Sequence, residues 1–316
     1  MKSKFRPVFN FIFGPVPSRR LGVSLGVDLM PHKTCSLDCV YCECGKTTHL
    51  TTKRKEYTPF DQIRKELDLF LSSHPHLDSI TFSGSGEPTL HLSIGEIIKY
   101  VKTDYPEYSI SVLTNGTLFH SLEVRDAVAQ ADRIIASFDA ASDTVFRTIN
   151  RPHTSLDLHE MVEGLAALKK ECSNQLWMEI FIVPGHNDDD QELKKIQEAM
   201  DIIKPHQIHI NSLDRPGTED WVQPITQEVL KRIQTCMHNV SLVDHAKHAA
   251  LLNEFSGDLP DMVLSTVKRR PCTAEDISEI TGADLNKINQ HLDILLKNGE
   301  VDKKRMSRGT FFFLKQ

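Results

Sequence analysis

A cluster of three cysteines is the part of this 316-residue chain with the clearest chemical potential. Cys35, Cys39 and Cys42 follow the spacing C-x3-C-x2-C within eight residues. Three thiolates on one short loop can bind three irons of a [4Fe–4S] cube and leave the fourth iron open. Structural zinc sites usually take four ligands in two separated pairs, and the sequence offers no second pair. The spacing favours an iron–sulfur cluster, with another metal or incidental thiols as alternatives.

The other four of the seven cysteines do not indicate a disulfide framework, because a secreted scaffold spaces its cysteines through the chain. Cys44 is a possible fourth ligand, although it follows Cys42 too closely to reach the same cluster easily. Three cysteines are isolated and are predicted to be inert: Cys172, Cys236 and Cys272. No apolar run reaches the roughly 18 residues that span a bilayer, and the N-terminus lacks a signal-peptide cleavage site. We therefore predict a cytoplasmic protein with no membrane partner.

The net charge of −6 is unevenly distributed along the chain. Residues 1–60 carry +6, residues 61–262 carry −15 and residues 263–316 carry +3. This balance argues against a protein that coats nucleic acid over its whole surface. The two basic ends suit either a local anionic partner or ordinary solvated surface.

Short apolar strands alternate with amphipathic helical segments from residue 22 to about 235, which predicts an α/β fold with parallel βα units. The predicted strands are VSLGVDLM, SITFSG, SISVLTNG, RIIASFDA, LWMEIFIVPG and QIHINSL. The predicted helices include residues 60–71, 94–102, 158–169 and 190–200. Six such repeats suit a partial barrel or a doubly wound sheet, and the pattern alone does not choose between them.

The chemically unusual residues follow the strands. The cysteine loop follows the first strand, residues 84–88 (GSGEP) follow the second and Asn115 follows the third. Ser137 and Asp139 follow RIIA, the core of the fourth. Both architectures place their working loops beyond the carboxyl ends of the strands. These residues are therefore expected to converge on one face and to form one site.

In this order the motifs resemble those of the radical S-adenosylmethionine (SAM) superfamily, over roughly residues 12–220. The hallmark is the cysteine spacing with an aromatic residue, here Tyr41, immediately before the third cysteine. The resemblance implies a partial (β/α)6 TIM-like barrel, a [4Fe–4S] cluster on the three cysteines, and SAM as the second cofactor. It also implies SAM contacts at strand ends, from Tyr41, Gly84, Ser85, Gly86, Glu87, Asn115, Ser137, Asp139 and Val183.

The resemblance further implies a reaction. An electron, supplied by a donor such as ferredoxin or flavodoxin, passes from the reduced cluster to SAM. The resulting 5′-deoxyadenosyl radical abstracts hydrogen from a substrate. Four segments, FGPVPSRRLGVSLG, CSLDCVYCECGKTT, FSGSGEPTL and NSLDRPG, resemble the wyosine-synthase-like Fe–S oxidoreductases, which include enzymes that modify phenylalanine tRNA. Those synthases carry a second cluster on three N-terminal cysteines, and this sequence has none before Cys35. The resemblance therefore implies the cofactor set but not the exact reaction.

Several arginines and histidines have both functional and structural interpretations. Arg19, Arg20 and Arg215 are possible clamps for a phosphate or carboxylate of the substrate, or else partners in salt bridges. Arg151 and His153 line the site or cap a turn. His245 and His248 fall in a predicted linker helix and are interpreted as structural.

A different pattern begins near residue 260 and predicts a small winged helix-turn-helix domain. We predict a catalytic barrel over residues 1–240, a linker over 241–260 and this domain over 261–316. Thr273 and Asp276 form an imperfect capping box, and Asn298-Gly299 ends the second long helix. Candidate groove readers are Asn286, Lys287, Asn289 and Gln290, and candidate phosphate contacts are Lys303, Lys304, Arg305 and Arg308. Docking of a protein, or a purely structural role, is the alternative.

Three functions are consistent with these features. The leading hypothesis is a radical SAM enzyme that modifies a macromolecule, most plausibly RNA. The second is a radical SAM enzyme that acts on a protein, a peptide or a metabolite. The third is a DNA-binding regulator with a redox-sensing Fe–S cluster, which the GSGEP motif disfavours because a sensor needs no SAM site.

Overall fold

An eight-stranded open sheet is the centre of the larger part of the chain. The computed structural model describes residues 9–18, 20–243 and 259–315. The strands of this sheet, in spatial order, are β1 (Ile12–Ser18), β2 (Gly22–Val27), β5 (Ser79–Phe82), β6 (Ile110–Thr114), β7 (Arg133–Ser137), β8 (Gln175–Phe181), β9 (Gln207–Asn211) and β10 (Val240–Leu242). Only β1 is antiparallel to its neighbour, and β2 to β10 run parallel. Two short strands, β3 (Thr34–Cys35) and β4 (His49–Leu50), pair beside the sheet.

Helices connect the parallel strands, as the alternating pattern predicts. They are α1 (Phe60–Leu71), α2 (Ile94–Asp104), α3 (Leu122–Val128), α4 (Asp143–Ile149), α5 (Leu158–Glu171), α6 (Asp190–Ile203) and α7 (Gln227–Cys236). A one-turn 3-10 helix spans Pro88–Leu90. Helix α1 shows why these segments are helical: Ile63, Leu67 and Leu71 recur every four residues and form its buried face. These helices carry the chain back so that successive strands run in the same direction.

All six predicted strands are present and parallel, and the sheet matches the partial barrel expected for the radical SAM type. Two strands of this sheet, β1 and β10, lay outside the prediction. Gly14, Pro15 and Pro17 interrupt β1, so its sequence lacks the even alternation of a strand. Strand β10 has only three residues, too few for a periodic signal.

The last part of the described chain is a separate small module of three helices and three strands. Its elements are α8 (Leu259–Arg269), β11 (Cys272–Thr273), α9 (Ala274–Thr281), α10 (Leu285–Lys297), β12 (Val301–Met306) and β13 (Gly309–Leu314). The strands form a sheet in the order β11-β13-β12. The Thr273–Asp276 capping box is confirmed, and Gly282 ends α9 in the left-handed conformation. The module has a core of its own, which includes Val263, Val267, Ile277, Ile288 and Leu292.

Some sequence predictions fall outside the described residues. Most of the predicted linker, residues 244–258 with His245 and His248, lies there, as does Arg19. Across the described ranges, no helix combines the length and the apolar character needed to cross a bilayer.

Two charged side chains cap the backbone at the start of β1, over residues 10–12. The Glu66 carboxylate, on α1, accepts hydrogen bonds from the backbone N–H groups of Asn10, Phe11 and Ile12. The Arg269 guanidinium, at the end of α8, donates to the carbonyls of Asn10 and Ile12, each at 3.3 Å. These contacts satisfy backbone groups at the sheet edge that would otherwise need water.

An ionic network joins the small module to the segment that follows β9. Arg215 donates to Asp276 at 2.9 Å, and Arg308 contacts Asp276 at 2.7 Å and Asp214 at 3.1 Å. The side chains of Asp214, Arg215 and Asp276 are only 10–13% exposed. Burial alone would raise the pKa of Asp276, but hydrogen bonds from Arg308 and the charge of Arg215 lower it to about 2. The small module therefore contacts both β1 and the β9 loop.

Candidate active site

The cysteine loop lies at the carboxyl end of the parallel strands, between β2 and α1. Two segments hold its backbone. Val40 N–H donates to the Ile149 carbonyl at 2.9 Å, and the Thr218 hydroxyl donates to the Cys42 carbonyl at 3.1 Å. The seven cysteines are all free thiols. These hydrogen bonds fix the conformation of the loop, and its free thiols are available as ligands.

Each of the three cysteine thiols lies beside a side-chain nitrogen from a different part of the chain. The pairs are Asn115 Nδ2 at 3.5 Å from Cys35 Sγ, Asn150 Nδ2 at 3.5 Å from Cys39 Sγ, and Lys33 Nζ at 3.0 Å from Cys42 Sγ. The hydrogen-bond network fixes the orientation of both amides. Asn115 Oδ1 accepts from Thr117 N–H, and Asn150 Nδ2 donates to the Asp139 carboxylate. Donors aimed at sulfur suit thiolates, which accept hydrogen bonds and bind metal.

The three thiols have different electrostatic surroundings. Burial raises the pKa of Cys35 to about 12, and burial raises the pKa of Cys39 as well. A hydrogen bond from the Cys44 thiol, helped by the nearby Lys33 ammonium, lowers the pKa of Cys42. For Lys33, burial works against the charged form, but the charge of Cys42 outweighs it and raises the pKa. Of the three thiols, Cys42 is thus the one whose surroundings favour the thiolate form.

The donor set fits an iron–sulfur cube. In the part of the chain that the structure describes, no three Cys, His, Asp or Glu side chains converge on a point where one metal ion would bind. A cube differs from a single ion because each thiolate binds a different iron, so the sulfurs need not converge. Three separate thiols on one loop, each beside its own nitrogen donor, suit ligands that bind three different irons.

The GSGEP segment packs directly against the cysteine loop. A Cβ on Gly86 would lie 2.2 Å from the Thr34 carbonyl oxygen, so only glycine permits this approach. Lys33 N–H donates to the Ser85 carbonyl at 2.9 Å, and Glu87 N–H donates to the Thr34 carbonyl at 3.1 Å. Backbone hydrogen bonds thus join the predicted SAM loop to the predicted cluster loop.

Glu87 differs from the simple expectation of a free carboxylate for an ammonium group. It is 3% exposed, and its Oε1 accepts from Thr89 N–H, the Thr89 hydroxyl and the Thr114 hydroxyl. Its Oε2 accepts from Asn115 N–H at 2.7 Å. Burial raises the pKa of Glu87 in spite of these four donors. The carboxylate ties the GSGEP segment to the end of β6, and only Oε2 keeps clear acceptor capacity.

Tyr41 and Asp139 also hold the cysteine loop in place. The Tyr41 ring stacks on Phe181 with 3.8 Å between the ring centroids, and its hydroxyl donates to Asp139. Asp139, 3% exposed, also accepts from Asn150 Nδ2 at 2.6 Å and from Phe181 N–H at 2.8 Å. The sequence predicts that both residues contact SAM, and the structure shows that they also bind each other and neighbouring protein groups. Together they fasten the loop to β7 and β8.

The other predicted SAM residues lie on the same face. Ser85 N–H and hydroxyl both donate to Asp28, whose carboxylate would also collide with a Cβ on Gly84. Ser137 and Asn115 line a small cavity beside Leu37 and Phe138. Val183, buried at the end of the β8 segment, donates its N–H to Asn187 Oδ1 at 2.7 Å. The strand ends therefore converge, as the alternating pattern predicts.

The candidate anion clamps have partners within the protein. Arg20 forms a salt bridge with Glu179, Arg151 pairs with Glu219 at 2.6 Å, and Arg215 belongs to the network with Asp276. Sequence reasoning missed Lys33, Asn150 and Asp28 entirely. Proximity in sequence to Cys35 was the one signal available for Lys33, and no local pattern marked Asn150.

Comparison with known proteins identifies the family. The profile of the Radical SAM superfamily matches residues 29–196, more than half of the chain. The chain belongs to the radical SAM superfamily. It is accordingly an enzyme, and radical SAM proteins bind SAM and a [4Fe–4S] cluster.

Two relatives and one solved structure illustrate the similarity. The chain is 30% identical to UPF0026 protein MJ1312 of Methanocaldococcus jannaschii, over 96% of this chain and 95% of that protein. It is also 30% identical to a protein named GTPase Obg from Brachyspira hyodysenteriae, over 95% of this chain but only 44% of that protein. The chain thus spans less than half the length of this second relative. A radical SAM methyltransferase from Sphaerobacter thermophilus superposes with a TM-score of 0.52, at 14% identity, over 69% of this chain and 65% of that one.

Proposed function

We propose that this radical SAM enzyme cleaves SAM reductively and uses the radical so formed to abstract hydrogen from a substrate. The observation that carries the proposal is the set of three thiols on one loop, each beside a nitrogen donor and all beside the GSGEP backbone. When both cofactors are bound, one electron from the cluster breaks a C–S bond of SAM and yields methionine and a 5′-deoxyadenosyl radical. A donor such as ferredoxin or flavodoxin supplies that electron.

The residues divide into three roles in this proposal. Cys35, Cys39 and Cys42 hold the cluster. The backbone of Gly84, Ser85 and Gly86 contacts SAM, as do the polar side chains of Asn115 and Ser137. Val183 lies beside the bound SAM. Glu87, Tyr41 and Asp139 act mainly by orienting these groups, because most of their hydrogen-bonding capacity goes to partners within the protein. The protein's part is to bind, to orient and to exclude water from the radical.

The test is anaerobic reconstitution with iron and sulfide, followed by SAM and dithionite, with 5′-deoxyadenosine measured by chromatography. The wild-type protein should release 5′-deoxyadenosine. Cys39→Ala should lose both cluster and cleavage, whereas Cys236→Ala, which alters an isolated cysteine of α7, should retain both. A cluster-loaded wild-type protein that yields no 5′-deoxyadenosine with several reductants and candidate substrates would contradict the proposal. Cleavage that survives Cys39→Ala would overturn the ligand assignment.

We further propose that the C-terminal module is a winged helix-turn-helix that brings RNA to the barrel through α10. Support comes from the exposed polar side chains along one side of this helix, namely Asn286, Lys287, Asn289 and Gln290. In the wing, Lys303 and Arg305 are exposed, whereas Lys304 pairs with Asp220 and Arg308 pairs with Asp276. Lys303 and Arg305 would therefore meet a phosphate directly, whereas Lys304 and Arg308 would first have to exchange a carboxylate partner for it.

A binding assay separates the candidate substrates. Lys287→Glu should weaken binding to a structured RNA several-fold, because it reverses one charge on the contacting face. Lys170→Glu, an equal charge change on α5 of the barrel, serves as the control. Preference for duplex DNA together with no SAM cleavage would favour the redox-sensing regulator. Unchanged binding of RNA by Lys287→Glu would leave a protein, peptide or metabolite as the substrate.

A further inference from the structure

We propose that Lys33 sets the reduction potential of the cluster through the iron that Cys42 binds. Its ammonium lies 3.0 Å from Cys42 Sγ. The other two thiols, Cys35 and Cys39, face the neutral amides of Asn115 and Asn150. The inference rests on the proposed function, since it requires the cluster on these cysteines. It adds a role for a residue outside the three-cysteine motif.

The physical effect follows from the charge that the cluster gains on reduction. A nearby positive charge and hydrogen bonds to sulfur both stabilise the reduced, more negative form, so they raise its potential. Lys33 is only 3% exposed, so water and salt screen its charge weakly. Neutral amide donors act in the same direction but through dipoles, which are weaker than a full charge. Lys33 is therefore the dominant single contribution among the three donors.

The backbone at Lys33 gives independent support. Its φ is +56°, in the left-handed region that side-chain-bearing residues seldom adopt. The turn is held on both sides, because Lys33 N–H donates to Ser85 and the Lys33 carbonyl accepts from Thr48 and His49 N–H. A glycine would meet the same turn without strain. A lysine here brings a side chain that the turn itself does not need, and a functional role for that side chain explains the strained position.

The same hydrogen bonds place Lys33 between the two cofactor loops. Its N–H contacts the GSGEP segment, and its side chain contacts the last cluster ligand. A change at Lys33 could therefore act on the cluster or on SAM. The test has to separate these effects by measuring the potential before SAM is added.

The experiment is a redox titration of the reconstituted full-length protein without SAM, followed by electron paramagnetic resonance of the reduced cluster. Lys33→Met removes the charge and keeps the length of the side chain, while Lys33→Arg keeps the charge. Lys99→Met, on the exposed face of α2, is the matched control for loss of a lysine. Iron and sulfide content is measured first in every protein, so failure of wild-type loading would count against the proposed function rather than this inference.

The expected result is a midpoint potential that moves to more negative values in Lys33→Met, stays near wild type in Lys33→Arg and is unchanged in Lys99→Met. Loss of the cluster in Lys33→Met, with retention in Lys33→Arg, would overturn the inference, because the charge would then serve to hold the cluster rather than to set its potential. Equal potentials in cluster-loaded Lys33→Met and wild type would overturn the inference. Loss of the cluster in both Lys33 variants would also overturn it and would assign Lys33 to packing.

Discussion

The ionic network around Asp276 predicts how firmly the C-terminal module is held. Asp276→Asn removes the negative charge that faces Arg215 and Arg308 but keeps the size of the side chain. The pKa of Asp276 is lowered from 3.8 to about 2, and each pKa unit corresponds to about 1.4 kcal/mol. The side chain is 13% exposed, so solvent screening reduces this contribution little. We expect the substitution to cost about 2 kcal/mol of unfolding free energy at neutral pH.

The pH dependence has a defined sign. Because the native pKa lies below the ordinary value, the stabilisation is fully present above about pH 4 and is lost as the pH falls towards 2. The Asp276→Asn protein should lack this component, so its unfolding free energy should converge with that of wild type at the acid end. The assay is urea unfolding of the reduced apoprotein, followed by far-UV circular dichroism and by amide hydrogen exchange in α9.

The control is Asp293→Asn, which removes an exposed carboxylate on α10 of the same module. It should change the unfolding free energy by less than about 0.5 kcal/mol. If Asp276→Asn behaves like Asp293→Asn at every pH, the network stabilises nothing, and the reasoning from its buried charges is refuted.

Three further substitutions test the site. Tyr41→Phe keeps the stack on Phe181 but removes the hydroxyl that donates to Asp139. The unfolding free energy should therefore fall by about 1–2 kcal/mol while the iron content stays normal. A loss of iron would instead show that the hydroxyl is essential to the cluster. Gly86→Ala forces a Cβ to within 2.2 Å of the Thr34 carbonyl oxygen. The iron content after reconstitution should therefore fall well below that of wild type. Full loading would show that the GSGEP segment and the cysteine loop can move apart. Glu87→Gln places an amide, which has an NH2 donor, where the carboxylate accepts four hydrogen bonds. The substitution should therefore cost about 1–3 kcal/mol of unfolding free energy. Weaker SAM binding at unchanged stability would instead assign Glu87 to the cofactor.

Local signals in the sequence predicted local structure well. The Thr273–Asp276 capping box needs only four residues, and it is present as predicted. Runs of apolar residues bounded by turn residues predicted the six parallel strands. The ends of these runs also gave the positions of the family motifs. The convergence of the strand ends on one face needed only the rule that parallel strands end together.

Contacts between distant residues could not be predicted in this way. Asn150 reaches Cys39 across 111 residues, and Arg215 reaches Asp276 across 61. Which polar group meets which depends on the packing of several elements, and no short pattern encodes it. Lys33 illustrates the same limit at short range, since its contact with Cys42 depends on a left-handed turn that the sequence does not mark.

The covered edge of β1 bears on how the two parts of this protein can be studied. An edge strand with free N–H and C=O groups is a template on which another chain can add a strand, which leads to aggregation. Glu66 occupies these N–H groups from within the barrel, but Arg269, which occupies the carbonyls, belongs to the C-terminal module. A chain cut before Leu259 would keep the cysteine loop and lose this cover. We therefore expect a chain cut at this point to self-associate more readily than the full-length protein, because backbone carbonyls at the start of β1 would lose their partner.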